Sequence, residues 1–72
     1  MSYFRRAALS RMKRSALLKH LRRNGCILKR EGASHSLWLN PKTGAVEAIP
    51  RHTEIKNLLA KKICRGLSIP EL

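Results

Sequence analysis

The sequence predicts a small α+β domain in the order helix, three strands, helix, with both helices on one face of a three-stranded antiparallel sheet. Three observations lead there. Leucines at helical spacing (Leu17, Leu18, Leu21) stand early in the chain, and Leu59, Ile63 and Leu67 repeat that period near its end. Between them lie three short strand-like runs, Cys26 to Arg30, Ser34 to Asn40 and Val46 to Ile49, separated by turn residues. Consecutive strands with tight connections make an antiparallel meander, and two amphipathic helices can cover one of its faces.

Taken in order, Ser15 is a suitable cap for the first helix, and Asn24-Gly25 ends it, because Gly25 adopts a left-handed backbone without penalty. A backward extension through Tyr3, Phe4, Ala8 and Met12 is less clearly patterned, so residues 1–11 read as an N-terminal extension, helical or disordered. Residues 12–72 then form the single domain. Gly32-Ala33 turns the chain between the first two strands, and Asn40-Pro41-Lys42-Thr43-Gly44 suits a hairpin loop. Pro50 closes the third strand. Asn57 is a good cap for the second helix, whose Lys61, Lys62 and Arg65 turn to solvent. If Trp38 points into the core, alternation sends His35, Leu37 and Leu39 to the opposite face; the register with the leucines inward is the alternative.

A chain of 72 residues buries only ~60% of the surface its unfolded form exposes, so any active site must sit on an open face or groove. Sixteen Lys and Arg against four glutamates give a formal net charge of +12, and there is no Asp. Such a surface points to a polyanion, nucleic acid before membrane. No apolar stretch reaches membrane-spanning or signal-peptide length, which leads us to expect a soluble cytoplasmic protein. Cys26 and Cys64 lie far apart in apolar settings. Their number allows one disulfide, but they read rather as two buried free thiols, and no Cys/His spacing suits a zinc site.

Several blocks occur in a telling order. A leucine-rich helix ends in Asn24-Gly25, and a basic strand ending in Lys29-Arg30 runs into Gly32-Ala33-Ser34-His35. Trp38 follows three residues after that histidine, then Asn40-Pro41, then Ile49-Pro50-Arg51-His52, and finally Leu58 to Ile69 containing Ile63-Cys64-Arg65. Over residues 12–70 this set resembles the HicA toxins, the ribonuclease halves of bacterial and archaeal toxin–antitoxin pairs. The resemblance implies a fold like that of double-stranded-RNA-binding domains and mRNA cleavage without a metal or other cofactor. It further implies His35 as catalytic residue and neutralisation by a HicB-type antitoxin. The chain departs from the common form in two places. Ser36 stands where many members carry a second histidine, and Ala33 separates a glycine and serine that are usually adjacent.

The residue inventory permits the same chemistry. Two-metal phosphodiester cleavage needs clustered carboxylates, and four scattered glutamates supply none. Histidine suits metal-free acid–base work at neutral pH, and the readiest nucleophile is then the substrate's own 2′-hydroxyl, which only RNA possesses. Lys29, Arg30 and Arg51 are candidates to steady charge on the phosphate. His52 is a candidate accessory acid or RNA-orienting group, or else a polar strand-end residue, and His20 reads as solvated. Lys61, Lys62 and Arg65 form either a phosphate-tracking or a merely solvated helix face. Trp38 reads as a core anchor rather than a base-stacking platform. A free monomer is expected, with RNA and an acidic antitoxin as partners and no membrane. A non-catalytic RNA-binding module of the same fold is the chief alternative. A DNA-binding protein is less apt, because strands separate the two helices where a helix-turn-helix needs a short turn.

Overall fold

The computed structural model describes residues 10–72. Its elements are β1 (Arg11–Lys13), α1 (Arg14–Arg23), β2 (Ile27–Glu31), β3 (His35–Asn40), β4 (Ala45–Pro50), β5 (Glu54–Lys56) and α2 (Asn57–Gly66). The three expected strands form an antiparallel sheet in the order β2-β3-β4. Two short strands were not expected. β1 and β5 pair antiparallel, Met12 opposite Ile55, as a separate two-stranded ladder. The order is therefore β-α-β-β-β-β-α rather than α-β-β-β-α. Met12 belongs to β1, so α1 does not extend backwards through it. Tyr3, Phe4 and Ala8 lie outside the described residues, and Arg11, expected in the extension, is part of the ladder.

That ladder also overturns the expected caps. Neither Ser15 nor Asn57 caps a helix; each lies inside one, with Lys13 and Lys56 at the capping positions and no side-chain cap bond at either. The strand pairing supplies partners instead. The Arg14 amide donates to the Thr53 carbonyl at 2.8 Å and the Asn57 amide to the Ser10 carbonyl at 3.2 Å. Each bond satisfies one amide that a helix start otherwise leaves open. At the other ends, both helices close in the same way. Gly25 (φ 87°) and Ser68 (φ 60°) take left-handed backbones. The following amides, of Cys26 and Ile69, reach back to the carbonyls of Leu21 and Cys64.

Alternation along β3 decides the sheet's two faces. Ser36, Trp38 and Asn40 are buried, while His35 is exposed and Leu37 and Leu39 are half-buried. Trp38 is thus inward, at 3% exposure, with the guanidinium of Arg22 over its ring at 5.3 Å. The core joins Leu17, Leu18 and Leu21 of α1, Trp38 and Ile49 of the sheet, Ile55 of β5, and Ala60, Ile63 and Cys64 of α2. Each fully buried Leu or Ile contributes roughly 1.5–3 kcal/mol. Leu59 is only partly buried, and Ala60 and Cys64 complete the inward face of α2. Cys26 and Cys64 are buried and free. Burial pushes both thiols above their ordinary value. For Cys64 the nearby Glu71 and Cys26 add to the rise, and a backbone hydrogen bond at Leu72 opposes it. Asn40, 4% exposed, ties the layers together: its side-chain amide donates to the Leu67 carbonyl at 2.7 Å, and its Oδ1 accepts from the Lys42 amide at 3.0 Å.

Candidate active site

His35 is the first residue of β3, directly opposite Pro50 of β4. Its carbonyl accepts the Gly32 amide at 2.8 Å, which closes the turn between β2 and β3. The turn is tight for a steric reason: a Cβ on Gly32 would stand 2.8 Å from the His35 carbonyl oxygen. The imidazole belongs to the sheet face away from the core, because residues paired across strands share a face. On that row stand Arg30, opposite Leu37, and Ala48, also opposite Leu37. Lys29 falls at an irregularity of the β2 ladder, between the paired Leu28 and Arg30, and is exposed.

Arg51, one residue past Pro50, reaches back across the turn. Its Nη1 donates to the Gly32 carbonyl at 2.6 Å and lies 3.8 Å from the Glu31 carboxylate. His52 follows it, exposed, two residues beyond the partner of His35. The fold thus brings Arg30, His35, Arg51 and His52 to one end of the sheet.

The basic candidates of the second helix do not join them. Lys61, Lys62 and Arg65 are exposed on α2, whose other side packs into the core. They therefore belong to the helical layer, on the far side of the sheet from the face that carries His35. Arg65 is also paired, donating to Glu71 at 2.9 Å. His20 is not simply solvated: its Nε2 lies 2.6 Å from the Pro70 carbonyl, which can only accept, and so ties α1 to the C-terminal segment.

Beneath the turn lies a polar network absent from the expected site. The Ser36 side chain, 1% exposed, donates its hydroxyl proton to the Glu31 carboxylate and accepts from Arg14 Nη2 at 2.7 Å. The same guanidinium donates through Nε to the Pro50 carbonyl at 2.8 Å. One signal for it was present in the sequence. Glu31 is the only carboxylate in the first 46 residues of a chain of net charge +12, and an isolated acid in such company finds a cation. Which cation it finds depends on tertiary folding.

Among the described residues no three His, Cys, Asp or Glu side chains converge as a metal site would require. A groove of about 250 Å³ lined by Arg11, Met12, Asn57, Ala60, Lys61 and Leu72 lies elsewhere, between β1 and α2. None of the described helices is long and apolar enough to cross a membrane. Fold and site together define a class: a small, strongly basic α+β protein with an exposed histidine and two arginines at one end of an open sheet face. Compared with protein-family models, curated proteins and solved structures, the chain gives no match.

Proposed function

We propose that the chain is a HicA-type toxin, an endoribonuclease that cleaves mRNA in the cytoplasm and is restrained by a HicB-like antitoxin. The observation that carries this reading is the exposed His35 at a strand start, with Arg51 bonded to its turn and Arg30 on the same sheet face. An imidazole so placed meets a polymeric substrate on an open surface, where the flanking guanidiniums attract the phosphates. His35 takes the proton of a 2′-hydroxyl. The freed oxygen attacks the adjacent phosphorus, expelling the 5′-oxygen of the next nucleotide and leaving a cyclic phosphate. Positive charge close by steadies the extra charge on phosphorus. His52 is the candidate donor to the leaving oxygen.

The finer fold belongs to the same reading: two helices backing a three-stranded antiparallel sheet suit a double-stranded-RNA-binding-domain-like architecture. The open face also offers a place for the antitoxin. Ile27 and Val46 are exposed there and flank the half-buried Leu39, while the half-buried Leu37 lies between Leu39 and His35 on the same face. An acidic protein laying apolar side chains on this patch covers His35 as it docks.

The deciding experiment compares the purified chain with His35→Ala on RNA. Cleavage is expected to fall by roughly 10²–10⁴-fold, as for a lost general base, with RNA binding retained and growth arrest on expression abolished. Undiminished cleavage by the variant removes His35 from the mechanism. A second reading, a non-catalytic RNA-binding module, draws support from Lys61 and Lys62 in the other layer. RNA binding without cleavage by the unaltered chain selects it.

A further inference from the structure

We infer that Arg14, Ser36 and Glu31 form a brace that fixes the His35 turn from behind and so sets the aim of its imidazole. The sequence breaks a local rule at the start of α1. Arg14 is the first residue of that helix, preceded by Lys13, and the first helical turn holds no acid. A cation is disfavoured at a helix N-terminus, where the macrodipole is positive, so both residues weaken the helix they start. Such a conflict is commonly offset by tertiary contacts. Arg14 has them.

Its guanidinium forks. Nε donates to the carbonyl of Pro50, the residue opposite His35, and Nη2 donates to the hydroxyl of Ser36, the residue after His35. The Ser36 hydroxyl in turn donates a hydrogen bond to Glu31, which sits opposite it on β2. Glu31 also faces Arg51, whose guanidinium holds the Gly32 carbonyl at the start of the turn. Both strands that leave the turn, and the strand paired with His35, are therefore joined through Arg14, Ser36 and Glu31. The position after His35 is filled by a serine small enough to be buried while linking an arginine to a carboxylate. Its hydroxyl is used in both directions, as donor and acceptor.

Lysine cannot replace this arginine. It keeps the charge but lacks the planar fork that reaches Pro50 and Ser36 together. That separates a brace from a mere contribution to the positive field. These three are positioning residues, since none is placed on the reacting atoms. Their effect on turnover rests on the ribonuclease reading; their effect on the turn does not.

The experiment makes Arg14→Lys and Ser36→Ala in the full chain and reads three quantities. In both, amide exchange at Gly32 is expected to quicken by about tenfold or more, while amides inside α1 and α2 keep their protection. Single-turnover cleavage at saturating RNA is expected to fall by roughly tenfold or more, as when a reacting group loses its alignment. RNA affinity, measured in a His35→Ala background, is expected to stay within about twofold, because Arg14→Lys preserves the charge that binds phosphate. Unchanged Gly32 exchange in both variants overturns the brace. So does a cleavage loss that merely follows RNA affinity, or a loss of protection spread over both helices in Ser36→Ala. If the unaltered chain cleaves no RNA, the ribonuclease reading fails, and Gly32 exchange alone still decides whether the brace holds the turn.

Discussion

The amide of Gly32 donates to the carbonyl of His35 at 2.8 Å, and the space a Cβ on Gly32 would occupy lies the same distance from that oxygen. Glycine is thus required by proximity, since a methyl group there meets backbone that cannot swing aside. Gly32→Ala is expected to cost about 1–3 kcal/mol, as overpacking does. For a domain this size each kcal/mol corresponds to roughly 4–8 °C in Tm. The displaced carbonyl belongs to the proposed catalytic residue, so cleavage measured well below the melt falls further than the unfolded fraction explains. A melt and cleavage rate both matching the parent contradict the steric requirement.

Ser68 ends α2 in a left-handed backbone with φ 60°, where Gly25 serves α1 with φ 87°. A side chain in that region costs roughly 1–2 kcal/mol relative to glycine, part of which returns as extra freedom in the unfolded chain. Ser68→Gly is therefore expected to stabilise the protein by about 1 kcal/mol or slightly less. Urea unfolding checks it: the midpoint rises with an unchanged slope. A lower midpoint means the Ser68 side chain makes an interaction worth more than the strain.

These two positions also show what was legible in the sequence. Gly25 could be read as a helix end because Asn-Gly follows a leucine period, and Trp38 as inward because a small sheet needs an aromatic anchor. The turn at Gly32 and the three central strands were legible for the same reason, since turn chemistry and apolar alternation are local. The ladder of β1 and β5 was not. Arg-Met-Lys and Glu-Ile-Lys hold one apolar residue each, too few for a period, and they pair only because folding brings residues more than forty apart together. Ser15 and Asn57 misled because their residue types favour caps, whereas the ladder's backbone met that need. At the candidate site, His35 and His52 could be picked out with Lys29, Arg30 and Arg51 as basic company, but which of these cations stand beside His35 is set by strand pairing. Arg14 could not, being one more arginine in a basic stretch until the fold sets it against Ser36.

Both cysteines offer a check on the core through pH. Burial raises each thiol above its ordinary value of 9.0, so the folded state favours the protonated form more than the unfolded state does. Stability from this source is fully present below about pH 8.5–9 and is lost as pH rises through the higher folded values. The expected outcome is a falling unfolding free energy between about pH 8 and pH 10, reduced in Cys64→Ala when each chain is referred to its own neutral value. At neutral pH a thiol-reactive dye should label neither cysteine until denaturant is added. Rapid labelling of the native chain contradicts the burial.

Basic residues divide between the two layers of the fold. Lys61 and Lys62 are exposed on α2, whereas Arg30 is on the open face with His35. A polyanion that touches both layers releases counterions from both, but only the open face borders the proposed chemistry. The double variant Lys61→Ala with Lys62→Ala is therefore expected to weaken RNA binding uniformly across sequences. It should also flatten the dependence of log affinity on log salt by about 0.7 for each single-strand phosphate no longer neutralised. Single-turnover cleavage at saturating RNA should stay near the parent rate. Arg30→Ala is expected to lower that rate as well, because its charge shares the face of His35, where the proposed reaction would build negative charge on phosphorus. An unchanged salt slope in the lysine variant means that RNA does not reach the helical layer, and that those side chains are a solvated face. A fall in saturated cleavage equal to that of Arg30→Ala means instead that both layers converge on one site, against the two-layer separation the fold displays.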